Sequence, residues 1–359
     1  MSKSQRQPSE TSFAEELDAL SAQDDRERPP GWRLSPQAVV TFVMGGTLSD
    51  GTEIRAKYIG NRRLIQTAVA TLATDRALLL LGVPGTAKSW VSEHMAAAIS
   101  RDSQRIVQCT AGTDENHLRY GWNYAQLLAR GPSREALVST PVMTAMEQGK
   151  IVRLEELTRM ASDAQDTMIT ILSERSLPIP ELDATTYAAE GFNVIATANN
   201  RDRGVNDMSS ALKRRFNVVV LPLPDSAEEE AKIVAQRVSE LGTGLRLPEV
   251  APAEKEIARV VTIFRELREG QTVNGKLKLK SPSGTLSVAE AIAVMVGAWS
   301  HAGHFGEGVI EAESLAANLV GAIVKDPVQD RVVLQEYLET VVRERKDWKD
   351  LYRAIREVV

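Results

Sequence analysis

The 359-residue chain reads as an α/β protein: a parallel five-stranded sheet with helices on both faces, then a mostly helical domain. Three observations predict this. Short apolar runs at 77–81, 106–109, 151–154, 193–197 and 217–221 alternate with helical segments, the pattern of strands joined by helical crossovers. The first run meets a Gly/Pro turn that opens an amphipathic helix. Beyond Pro222-Leu223-Pro224 the strand signal fades and helix-start signals take over.

Composition narrows the class. Hydrophobic residues make up 43% and charged residues 25%, ordinary for a globular protein with room for two or three domains. The net charge of -5 provides no global field for nucleic acid, and the clusters Lys213-Arg214-Arg215 and Lys276 to Lys280 are small. A single cysteine, Cys109, excludes an intrachain disulfide and suits a reducing compartment. No run approaches the ~20 apolar residues of a membrane span. The polar N-terminus lacks an apolar signal core, so the cytoplasm is the expected location.

Residues 1–30 are polar and acidic and end in Pro29-Pro30-Gly31. They read as a disordered tail, although Phe13, Leu17 and Leu20 would share one helical face. Residues 31–60 form a small N-terminal extension, with turns at Gly45-Gly46 and Asp50-Gly51 that suit a hairpin. From 61 to 225 the α/β pattern holds. Leu64, Ile65, Ala68, Val69 and Leu72 mark a helical face. Thr140, Pro141 and Gly149 frame a second helix, and Ser162 with Gln165 suggests a capping box for a third. Residues 226–359 form the helical domain. Ser226 with Glu229 opens one helix that Gly242 should close, and Ser287 with Glu290 opens another. Apolar residues recur at helical spacing from Gln329 to the end.

Gly82-Val83-Pro84-Gly85-Thr86-Ala87-Lys88-Ser89, followed by Trp90, fits a phosphate-binding loop. Loop and helix N–H groups can face a polyphosphate, Lys88 can reach its β- and γ-phosphates, and the Ser89 hydroxyl can bind Mg²⁺. Ala87 stands where the pattern has its second glycine, and a methyl group there calls for negative φ. The bland alternative is a turn joining a buried strand to a helix.

Such a loop predicts an apolar strand ending in acids, and Ile151-Val152-Arg153-Leu154-Glu155-Glu156 supplies it. The first acid helps hold the metal and the second polarises water for attack on a γ-phosphate. The run from Phe192 to Asn200 ends in amides, and Asn199 can orient that water with Glu156. Leu212-Lys213-Arg214-Arg215-Phe216 presents paired arginines suited to a transferring phosphoryl group, including one on a neighbouring subunit. Separately these are an acidic loop, an Asn turn and a basic helix end; together they favour chemistry.

The four elements resemble an AAA+ ATPase, and within that superfamily the MoxR branch. The likeness covers about residues 60–225 well and the following domain, which would be the lid, loosely. The loop 82–89 looks like the MoxR phosphate loop, where Ala before Lys is familiar. Glu155-Glu156-Leu157-Thr158-Arg159 resembles the family's Asp-Glu-Ile-Asn-Arg, Ala196 to Asn199 its sensor-1 segment, and Leu212 to Phe216 the segment carrying the arginine finger. The resemblance implies ATP with Mg²⁺, held by Gly82 to Trp90 with Ser89 and Glu155 on the metal. It makes Glu156 the base, Asn199 the water guide and Arg215 the finger in trans, with Arg214 as alternate. It further implies a ring, with six subunits favoured, that remodels a protein client together with a von Willebrand factor A-domain partner.

Glu155 departs from the family's usual Asp, and no arginine near residues 281–291 answers to sensor 2. These departures keep a nucleotide-gated scaffold with little turnover as a rival, beside a nucleic-acid translocase on the same fold. Residues 112–135, with Tyr120, Trp122 and Tyr124, match the family's helix-2 insert. Residues 176–191 read as a hairpin. Both suit a pore or partner surface, or equally the packing of a subdomain. His94, His117, His301 and His304 lie apart and suggest no metal site.

Overall fold

A computed structural model describes residues 6–199 and 206–359. Asn200, at the end of the amide run, lies outside the described residues. The described chain divides into two compact units: Met1–Val83 with Ala87–Pro222, and Pro84–Thr86 with Leu223–Val359.

The first unit opens with α1 (Ser9–Ser12), α2 (Ala14–Gln23) and α3 (Pro36–Met44), followed by the hairpin β1 (Gly46–Thr47) and β2 (Glu53–Ile54). Next come α4 (Arg62–Leu72), β3 (Ala77–Gly82), α5 (Lys88–Ser100) and β4 (Ile106–Gln108). An insert follows, made of β5 (Tyr120–Trp122), α6 (Tyr124–Arg130) and β6 (Leu137–Ser139). Then come α7 (Pro141–Gln148), β7 (Ile151–Glu155) and α8 (Ser162–Glu174). A second hairpin, β8 (Ser176–Ile179) and β9 (Ala184–Tyr187), precedes β10 (Asn193–Asn199), α9 (Ser210–Lys213) and β11 (Phe216–Val220).

Among the described residues, five strands pair in parallel in the order β11-β3-β10-β7-β4. Both faces of the sheet are covered. Leu78 and Leu80 join one apolar cluster and Leu79 the other, as side-chain alternation along a strand requires. The α7 frame is as expected: Thr140 Oγ1 accepts from Met143 N, Pro141 begins the helix, and Gly149 ends it at φ +64.

Residues 6–30 correct the expectation of a disordered tail. Leu17 and Leu20 are buried in the same cluster as Val39, Phe42 and Ile65, and Phe13 packs against that cluster. The Glu16 carboxylate pairs with Arg55 and Lys57, so charge and apolar face are satisfied together. Residues 31–60 hold α3 as well as the hairpin, started by Ser35 Oγ accepting from Ala38 N.

This arm explains a second correction. The helix α5 was expected to be amphipathic, yet nearly all of it is buried. Its polar residues meet partners from the arm: Arg6 with Glu93, and Ser9 with His94. His94 is therefore a core histidine, edge-on to Phe13, Phe42 and Trp90.

At α8 the expected capping box does not form. The N-cap is Ala161, Ser162 Oγ donates to Asp207 O, and Gln165 Nε2 donates to Met160 O.

The second unit holds α10 (Ala227–Leu245), α11 (Glu254–Glu269), α12 (Val288–Phe305), α13 (Ala312–Ile323), α14 (Gln329–Tyr337) and α15 (Lys349–Val358). Ser226 caps α10, and Ser287 with Glu290 forms a true capping box on α12. Gly242 does not close α10, which runs on to Leu245. It is there for close approach: a Cβ on Gly242 would sit 2.5 Å from the Trp299 ring. That indole is held by its Nε1–H donating to Pro248 O at 2.7 Å. No helix among the described residues is long and apolar enough to cross a membrane.

Candidate nucleotide and metal site

The loop after β3 leaves the carboxyl edge of the sheet between two strands whose connections depart in opposite directions, the place where open α/β sheets bind ligands. Gly85 takes φ +83. Ala87 takes φ +61 and ψ +21, a left-handed conformation, which overturns the expectation of negative φ there. The general phosphate-loop pattern has glycine at this position, the residue that takes a left-handed turn without strain. Here a methyl group bears a strain of about 1–2 kcal/mol. Lys88 Nζ donates to Gly82 O at 3.0 Å and Val83 O at 2.9 Å, which holds the ammonium over the loop. Trp90 Nε1–H donates to Lys57 O at 2.8 Å, anchoring the start of α5 to the 31–60 extension.

Glu155 ends β7 and is buried. Its Oε2 accepts from Ser89 Oγ at 2.6 Å and Thr197 Oγ1 at 2.7 Å. Its Oε1 accepts from Ser92 Oγ at 2.6 Å and Arg153 Nη2 at 2.8 Å. Burial alone would push this carboxyl up. The Arg153 charge and the hydroxyls of Ser89, Ser92 and Thr197 more than offset it, and the group sits below the usual carboxylate range. Glu155 is therefore an ionised carboxylate against the serine hydroxyl of the loop. These hard oxygen donors suit Mg²⁺, which keeps waters and takes phosphate oxygens in place of a full protein cage. No group of three or more His, Cys, Asp or Glu gathers among the described residues.

Glu156 follows in a left-handed conformation, φ +58. For a glutamate this is strain, which persists only where the surrounding structure over-determines it. Its N–H donates to Thr197 Oγ1 at 3.0 Å, and its half-exposed carboxylate pairs with Arg159. Asn199 stands in register with Gly82, at the carboxyl end of β10 beside the loop. Lys88, Ser89, Glu155, Glu156 and Asn199 thus converge on one edge.

The arginines are elsewhere. Arg215 lies immediately before β11, where its carbonyl accepts from the N–H of Ala77, the first residue of β3. The six residues of β3 put the loop about 20 Å away, farther than an arginine side chain reaches. The Arg215 guanidinium donates to Ser173 Oγ at 2.8 Å and Ala211 O at 2.7 Å, while Arg214 is exposed. Neither completes the site of its own chain.

The two inserts touch each other: Arg119 Nη2 donates to Pro178 O at 3.0 Å, and Tyr120 Oη to Glu181 Oε2 at 2.7 Å. Tyr120 is thereby a packing residue, whereas Tyr124 and Leu128 are exposed. Sequence reasoning missed Arg153, Ser92 and the bridging role of Thr197. The one visible signal was a charge inside an apolar strand.

Comparisons with known proteins bear on the family and the fold. The model of the AAA domain of the dynein-related subfamily matches residues 77–216. The model of the YehL-like AAA+ ATPase C-terminal domain matches residues 229–359. The uncharacterized protein YehL of Escherichia coli strain K12 is 41% identical over 98% of this chain and 96% of its own length. The uncharacterized protein SSP1341 of Staphylococcus saprophyticus is 23% identical over 63% of this chain and 84% of its own. Among solved structures, NtrX from Brucella abortus in complex with ADP superposes with a TM-score of 0.50 at 14% identity, covering 86% of this chain and 67% of that one. At that identity the likeness concerns the fold alone.

Proposed function

This chain belongs to the family of YehL-like AAA+ ATPases, and from that premise we propose that it binds ATP with Mg²⁺ and hydrolyses it at a site completed by a neighbouring copy. One observation carries the reading: the Ser89 hydroxyl, at the start of α5, and the Glu155 carboxylate, at the end of β7, meet at 2.6 Å.

In this reading the N–H groups of residues 82–89 and Lys88 take the β- and γ-phosphates. Ser89 and Glu155 hold Mg²⁺, which when bound neutralises charge on the phosphate oxygens. Glu156 leaves Arg159 and accepts a proton from the attacking water, oriented by Asn199. The water oxygen bonds to the γ-phosphorus as the bond to the β–γ bridging oxygen breaks, releasing ADP and phosphate. Arg215 of the neighbouring copy, with Arg214 as alternate, steadies the charge on the transferring group. A finger in trans repeated head to tail forms a ring when the rotation between copies closes.

The finer features rest on the MoxR resemblance: six subunits, a remodelled protein client and a von Willebrand factor A-domain partner. The cytoplasm is the expected compartment, on the reducing environment that the buried Cys109 thiol suits.

The test is steady-state ATP turnover against protein concentration. Turnover per chain should rise with concentration, vanish in Glu156→Gln, and partly return when inactive Glu156→Gln and Arg215→Ala chains are mixed. Nucleotide binding without turnover at any concentration would replace the ATPase reading with a nucleotide-gated scaffold.

A further inference from the structure

Arg153 is a cation in the middle of a buried strand, preceded by the apolar Ile151 and Val152 and followed by the apolar Leu154 and the buried Glu155. Its side chain is about one-twentieth exposed and every nitrogen is used. Nε donates to Ser92 Oγ at 3.0 Å and Nη1 to Ser103 O at 3.1 Å. Nη2 donates to Glu155 Oε1 at 2.8 Å and to Ser89 O at 3.0 Å. One guanidinium thus grips the backbone of the loop serine and the carboxylate that the serine hydroxyl faces. Ser92, one turn further along α5, also bonds Oε1 at 2.6 Å.

The two carboxylate oxygens are therefore divided. Oε1 belongs to Arg153 and Ser92, and Oε2 to Ser89 and Thr197. Glutamate has one more rotatable bond than aspartate, so an unrestrained Glu155 would not hold one oxygen at one place. Neutralising a buried charge explains an arginine nearby, but an apolar pair would serve stability as well. It does not explain why the same guanidinium fixes both Ser89 and Glu155.

We propose that Arg153, seconded by Ser92, is a positioning residue that locks Glu155 by Oε1, so that Oε2 and the Ser89 hydroxyl present a preset pair of oxygens to Mg²⁺. The inference rests on the Mg²⁺·ATP reading above and deepens it. Partners that orient a metal's ligands typically contribute about 10- to 100-fold to metal affinity.

The experiment titrates binding of a fluorescent ADP analogue to the full chain, without metal and across Mg²⁺ concentrations, for wild type, Arg153→Met, Arg153→Lys and Ser92→Ala. Metal-free binding should stay within about twofold, because both side chains are buried and bond protein groups. The Mg²⁺ concentration for half-maximal enhancement should rise about 10-fold or more in Arg153→Met and less in Arg153→Lys, which keeps charge but loses the fork. If Arg153→Met does not fold, Ser92→Ala decides the matter through a rise of about 3-fold or more. An unchanged Mg²⁺ midpoint in a folded variant, or an equal loss of metal-free binding, overturns the proposal and leaves the ATPase reading standing. No nucleotide binding by the wild type overturns both.

Discussion

The Thr197 hydroxyl joins the two acids of the site: it donates to Glu155 Oε2 at 2.7 Å and accepts from Glu156 N–H at 3.0 Å. It thereby fixes the ionised carboxylate and the left-handed backbone of the next residue at once. Thr197→Val removes both bonds at constant shape and leaves a buried carboxylate and an N–H short of a partner. Turnover should fall about tenfold or more, while Thr197→Ser stays within about twofold. Phosphate release measures both, and a fully active valine variant would show that the bridge does not matter.

Ala87 carries its methyl group at φ +61. Ala87→Gly relieves about 1–2 kcal/mol of left-handed strain and gives back about 0.4–1 kcal/mol through a freer unfolded chain. A net gain of about 0.5 kcal/mol is expected, and Ala87→Val should lose stability instead, since a β-branched side chain tolerates this region worst. Urea denaturation reads both signs; a stabilised valine variant would contradict the conformation.

Leu17 is fully buried although it lies in a segment that composition alone marks as disordered. Leu17→Ala should cost about 2–5 kcal/mol, the range for a truncated core leucine. A loss below about 0.5 kcal/mol, the scale of surface substitutions, would return the arm to the status of a tail.

Asp330 is buried at the start of α14. Burial raises its pKa, but the N–H groups of Asp326, Ser283 and Lys325 and the Ser283 hydroxyl outweigh that and hold it below its ordinary value. A depressed carboxyl contributes stability that is complete above the unfolded pKa of about 3.9 and is lost as pH falls through the lower folded pKa. Asp330→Asn should therefore lower the melting temperature at neutral pH, with the gap to wild type closing below about pH 4. A gap that persists undiminished in acid would show that the charge is not the source.

Much of the fold was legible because its signals are local. A buried strand next to a Gly/Pro turn, the cap at Thr140 and the capping box at Ser287 depend on residues within one turn of each other. The misreadings share a cause. Gly242 reads as a helix end until the Trp299 ring lies against it. Likewise Ser162 with Gln165 fits a capping pattern, but each side chain finds a different backbone carbonyl.

Sequence by itself determined the strand-and-helix alternation, the phosphate-loop pattern and the pair of acids, since periodicity and spacing carry these directly. Tertiary structure alone decided that the N-terminal arm covers α5, and that Arg153, Ser92 and Thr197 converge on Glu155. It also placed Arg215 at the far end of β3 from the loop. The reason is physical: a buried polar group takes whichever partner the packing brings within hydrogen-bond reach, and partners 63 or 42 residues apart leave no periodic mark in the chain.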